Sequence, residues 1–213
     1  MTIRHHISDA LLMAYSAGEV DEAFALVIAT HLSMCDECRS RAGAFDAIGG
    51  VMVDGIEAAP IAEDSLQACL ARIDAMGMAP PPKPVRRGSV PQPLVDYIGG
   101  DLAAIQWRPI GMGVKQAVLL SGQGASARML MIPAGQVMPD HGHRGLELTM
   151  VLRGAFRDGA DRFGPGDVEI AGEDTKHTPA AEPGEDCICL AAVDGKLQFK
   201  GLLPRLAQPF FGI

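Results

Sequence analysis

Between Pro80 and Pro93 the sequence reads PPPKPVRRGSVPQP, which puts six of the chain's 15 prolines in one short run. Proline has no amide hydrogen to give to a helix or a sheet ladder. It also fixes its own φ and pushes the preceding residue toward extended backbone. A run this dense favours polyproline II and stops any helix that enters it. The sequence therefore predicts two folded units, residues 1–78 and 94–213, with 79–93 as a linker. A chain of 213 residues is long enough for both.

The two units differ in charge. Residues 1–80 carry four basic side chains against 12 acidic ones, while the chain as a whole has a net charge of −8. The acidic surplus thus sits on the first unit, where it suits a basic protein partner or simple solubility. It disfavours non-specific binding to nucleic acid or anionic membrane. The hydrophobic class makes up 48% and charged residues 21%, which excludes global disorder. No stretch approaches ~20 uninterrupted apolar residues, so no membrane span is expected. The start, MTIRHHISDALLMAYSAGEVDE, lacks the apolar core of a signal peptide, so a cytoplasmic location is expected. Five cysteines is an odd number and two of them form a CxxC, which points to metal or redox chemistry and away from a disulfide framework.

The first unit reads as four short helices. Ser8 or Asp9 caps one that Gly18 ends, and Asp21 opens a second running through VIATHL. A third starts near Cys35 and carries Ala42, Phe45, Ile48 and Val51 or Met52 at three- and four-residue spacing. A fourth, EDSLQACLARIDAMG, carries Leu66, Leu70 and Ile73 as a stripe, with Cys69 beside it as a core residue. Such a core is small and calls for a staple. The second unit changes period: VKQAVLL, SARMLMIP, ELTMVLRG, DVEIA, CICLAAV and LQFK alternate like strands between Gly-, Pro- and Asp-rich turns. The expected fold is α + β in two domains, four helices followed by an antiparallel barrel of the jelly-roll type.

Two clusters carry metal chemistry. His31-x3-Cys35-x2-Cys38 places an imidazole and a thiolate one helical turn apart and a second thiolate after a tight turn. Zinc takes four nitrogen and sulfur ligands, and the His5-His6 pair offers the missing one; the residues alone leave the choice between them open. A thioredoxin-like redox CxxC would need a flanking βα pattern, which is absent. In the second unit, His141 and His143 alternate on an extended segment, Glu147 opens the next strand, and His177 lies on a later one. Three imidazoles and a carboxylate suit zinc first, or manganese, iron or nickel.

The spacing His6-x24-His31-x3-Cys35-x2-Cys38 resembles the signature of zinc-binding anti-sigma factors, and that resemblance selects His6 as the fourth ligand. The run Gly135-x5-His141-x-His143-x3-Glu147-x6-Gly154 resembles the first cupin motif. His177, counted from Gly166, matches the histidine of the second motif, although Gly172, Asp174 and Ala181 depart from it. The two together, joined by a proline-rich linker, resemble the ChrR-type anti-sigma factors. The resemblance implies a helical domain that binds an extracytoplasmic-function (group IV) sigma factor, and a cupin domain that releases it in response to singlet oxygen and related oxidants. It implies a transcriptional regulator, not an enzyme. The alternative is a cupin metalloenzyme, a dioxygenase or isomerase, with a zinc-stapled interaction domain; Glu169 or Glu173 could then serve as its acid or base.

Cys187 and Cys189 lie on one strand and face the same side. They read as small core residues, with a redox role as the alternative. Met129, Met131 and Met150 are expected in the sheet interior, and Trp107 and Phe210-Phe211 as packing.

Overall fold

The computed structural model describes residues 2–77, 90–122, 124–142, 144–195 and 198–199. His143, most of the proline-rich segment and Phe210-Phe211 lie outside the described residues. Among those described, no helix is long and apolar enough to cross a membrane.

Four helices come first. Helix α1 (Asp9–Ser16) starts where the Ser8 side chain accepts from the Leu11 amide, and Gly18 follows it at φ +75°. Helix α2 (Glu22–Met34) is capped by Asp21. Helix α3 (Asp36–Asp54) is separated from α2 by the single extended residue Cys35, which ends one helix and caps the next. Helix α4 (Ser65–Met76) ends at Gly77, at φ +69°. The Asp9 carboxylate accepts from Arg41 and ties α1 to α3.

The stripe expected to form the core of α3 packs only at its start, through Ala42 and Phe45, and that of α4 does not pack at all. In α3 only Cys38 and Ala42 are buried, and α4 buries none of its residues. Ile48, Val51, Leu66, Leu70 and Ile73 are exposed, and so is Cys69. Helical periodicity predicted the helices correctly, but it marks an apolar face without saying what covers that face. A short helix, α5 (Gln92–Ile98), begins inside the stretch read as linker and packs Leu94, Val95 and Ile98 into the core.

The rest is antiparallel β. Strands β1 (Arg108–Gly111), β2 (Val114–Ser121), β3 (Ser126–Ile132), β5 (Glu147–Arg153), β8 (Val168–Ala171) and β11 (Cys187–Val193) form one sheet in the order β1-β2-β3-β11-β5-β8. Facing it are two three-stranded sheets. One is β10 (Ala180–Ala181), β6 (Phe156–Asp158) and β7 (Asp161–Phe163); the other is β12 (Gln198–Phe199), β4 (His141–Gly142) and β9 (Lys176–His177). This is the expected jelly roll.

Alternation divides the large sheet into two faces. Leu148, Met150, Ile188, Leu190, Ala127 and Met129 point outward and share a single hydrophobic cluster with Val27, Ile28 and Leu12 of the helices. The opposite face lines the barrel with Val114, Val151, Cys187 and Cys189, which pack against Phe156 of β6 and Phe163 of β7. The helical half therefore completes its small core against the large sheet.

Candidate functional site

The kink at Cys35 brings His31, Cys35 and Cys38 together. His6 closes the group from the segment before α1. Its Nδ1 lies 3.4 Å from Cys35 Sγ and 3.5 Å from Cys38 Sγ. One ligand atom from each of the four residues lies within 4.8 Å of the others. His5 points elsewhere: its ring lies against Phe163 with centroids 4.2 Å apart, and its Nδ1 is 3.7 Å from Asp167.

The donors fit a metal ion. His31 is fully buried and its Nδ1 donates to the Gly166 carbonyl at 2.8 Å. That bond places the lone pair on Nε2, a buried atom with no hydrogen-bond partner. Burial pushes the His31 pKa down, so the ring is neutral. A buried, unanswered acceptor beside two thiols is what a cation would satisfy. Burial also pushes the Cys38 thiol up to about 11, so metal must displace its proton. Two imidazole nitrogens and two sulfurs make a tetrahedral set.

The second group lies in the barrel. His141 (β4) and His177 (β9) pair across their strands, with their Nε2 atoms 3.1 Å apart. His141 Nδ1 donates to the Pro139 carbonyl at 2.8 Å, which leaves its Nε2 as an acceptor. The proton between the rings therefore belongs to His177. On its other side, His177 Nδ1 lies 3.0 Å from Asp158 Oδ2 and 3.5 Å from Glu169 Oε1. Burial works against an imidazolium here, but the Glu169 and Asp158 carboxylates outweigh it and raise the His177 pKa to about 9. Burial in turn pushes the Glu169 pKa up.

Asp158, Glu169 and His177 form a compact group that could also hold a metal ion. Glu147 sits at the start of β5, where it accepts from the Thr149 hydroxyl at 2.8 Å, and it is not part of that group. Sequence spacing did not find Asp158 at all, and nothing in it marked Glu169 above Glu173. The available signal was parity: Glu169 is opposite Thr149, on the barrel side of a strand whose other face is apolar. Arg128 is a second buried polar group in this wall, donating to Gln116 at 3.2 Å and to Ser126 at 3.1 Å.

Cys187 and Cys189 are fully buried with their sulfurs 3.5 Å apart. The hydrogen bond shared with Cys187, and then burial, raise the Cys189 pKa. These are surroundings for packing, not for an acidified, exposed thiolate.

Comparison with known proteins adds the relationship. Residues 96–196 match the ChrR cupin-like domain. Over the whole of both chains the protein is 58% identical to the anti-sigma-E factor ChrR of Cereibacter sphaeroides. The chain belongs to the ChrR family of anti-sigma factors. It is also similar to the crystal structure of Rhodobacter sphaeroides SigE in complex with the anti-sigma ChrR. There the match has 55% identity and a TM-score of 0.80, covering 91% of this chain and all of the other. The relative it matches along its whole length is a regulator, an anti-sigma factor.

Proposed function

We propose that this protein is an anti-sigma factor. Its helical half, residues 1–78, binds an extracytoplasmic-function sigma factor, and the cupin half, residues 94–213, releases that partner under singlet-oxygen-type stress. Full-length identity to an anti-sigma factor supports the class. The observation that carries the binding surface is the apolar side of α3 and α4: Leu66, Leu70 and Ile73 are 63%, 50% and 58% exposed on a helix that buries nothing. A patch like this on an acidic domain suits a partner with apolar pockets and a basic surround.

The test is recovery of a sigma factor from native extract by tagged full-length protein. Leu70→Asp together with Ile73→Asp places charge on the exposed stripe without touching the core. Partner affinity is expected to fall about 100-fold or more, as for hot-spot residues. Unchanged recovery by the double variant would move the interface elsewhere.

In this reading His6, His31, Cys35 and Cys38 hold zinc, which ties the residues before α1 to the α2–α3 junction. A divalent metal, zinc first, is held in the cupin by His141, His143, Glu147 and His177. When bound it would supply a charged centre in the barrel. Asp158 and Glu169 then orient His177 through its Nδ1.

A pH dependence follows from the proton on His177. Metal and proton compete for Nε2, and the His177 pKa is about 9. Below that value uptake must expel the proton, so cupin metal affinity is expected to rise about tenfold per pH unit between pH 7 and 9 and then level off. Calorimetry in two buffers of different ionisation enthalpy would count that proton. A flat profile would show that His177 is neutral when metal arrives.

A further inference from the structure

Two of the four donors in the helical half are held from the cupin half. The holding element is the turn between β7 and β8, residues 164–167. Gly166 gives its carbonyl to His31 Nδ1 at 2.8 Å. Asp167 Oδ1 accepts from the Arg4 and His5 amides at 2.6 and 2.9 Å, while its Oδ2 accepts from the Gly164 amide at 2.8 Å, which pins the carboxylate. The Val168 amide returns a bond to the His5 carbonyl at 3.2 Å. Since β8 is an edge strand of the large sheet, that one backbone bond sets residues 4–5 against its open side, and His6 follows directly.

The turn leaves no slack. Gly166 has φ +90°, and a Cβ there would stand 2.7 Å from the Ile3 side chain. Ile3, Gly166 and Met34 close the contact between the halves.

We propose that the β7–β8 turn of the cupin positions His6 and His31 and so sets how firmly the helical half keeps its metal. This rests on the reading that His6, His31, Cys35 and Cys38 hold one ion. Gly166 and Asp167 are positioning residues that act through backbone and imidazole. Two residues beyond Asp167, β8 delivers Glu169 to within 3.5 Å of His177 Nδ1, so a short stretch of chain joins the turn to the second group.

The experiment uses the full-length protein loaded with cobalt. Thiolate-to-cobalt charge-transfer absorption reports the Cys35/Cys38 group alone, because none of the donors proposed for the cupin is a sulfur. Removal by excess chelator is timed at that band. Asp167→Ala and Gly166→Ala are expected to release cobalt about tenfold faster than wild type, the lower end for outer partners of a metal ligand. Asp167→Asn should fall between, since its amide oxygen still accepts from Arg4 and His5 while its NH2 faces the Gly164 amide. This graded rescue, with cupin metal content unchanged, separates positioning from general loosening. Wild-type release rates in Asp167→Ala and Asp167→Asn would overturn the proposal. A wild-type protein with no thiolate band would instead overturn the metal reading on which it rests.

Discussion

Cys38→Ser is expected to cost the protein one metal ion and at least 100-fold in affinity for its partner. A serine hydroxyl is a poor zinc ligand, and Cys38 is fully buried, so nothing nearby takes its place. Structural zinc contributes ~10–16 kcal/mol of apparent binding energy in small domains, more than such a core holds by itself. The loss should be local. Val27 and Ile28 share the cluster that includes the cupin sheet, so α2 stays anchored. The segment before α1 and the first turn of α3 lose their common tie. Metal analysis should show one equivalent missing with the cupin's intact, circular dichroism should lose part of the helical signal, and the sigma factor should no longer be retained. Tight binding by the metal-free variant would mean that the ion does not shape the binding surface.

Much of this was legible in sequence because the relevant signals are local. Caps at Ser8 and Asp21, glycines at Gly18 and Gly77, and the one-turn spacing of His31 and Cys35 each depend on a few neighbouring residues. What was not legible depends on non-local pairing. The exposed stripe of α4 looks in sequence like any core helix. The Asp158–Glu169–His177 group joins three strands, and Asp158 is 19 residues from His177. The contact of Gly166 with His31 spans 135 residues and joins two units that the prolines seemed to separate. Charge and burial in those places come from topology, which periodicity alone does not encode.

Deleting residues 94–213 is expected to produce an inhibitor that no longer answers to oxidant, and a fragile one. The proposed partner surface on α3 and α4 lies away from the sheet-facing residues of α2, so partner binding should survive the deletion. If the barrel carries the sensing groups, as proposed, treatment with singlet oxygen should release the partner from the full chain only. Stability should move the other way. Phe24, Val27 and Ile28, buried in the cluster that includes the cupin sheet, become exposed, at about 1.5–3 kcal/mol for each large side chain. That sum is comparable with the whole stability of a small domain. The fragment also loses Gly166 and Asp167, and should release a metal ion held by His6, His31, Cys35 and Cys38 faster. Bound partner should offset part of this by mass action, so melting of the fragment should depend steeply on partner concentration while that of the full chain depends on it less. Thermal melts with and without partner, beside an oxidant titration of both complexes, decide the matter. Oxidant release from the fragment at the full-length dose would place the sensor in the helical half, where the buried Cys35 and Cys38 thiols would be the first groups to examine.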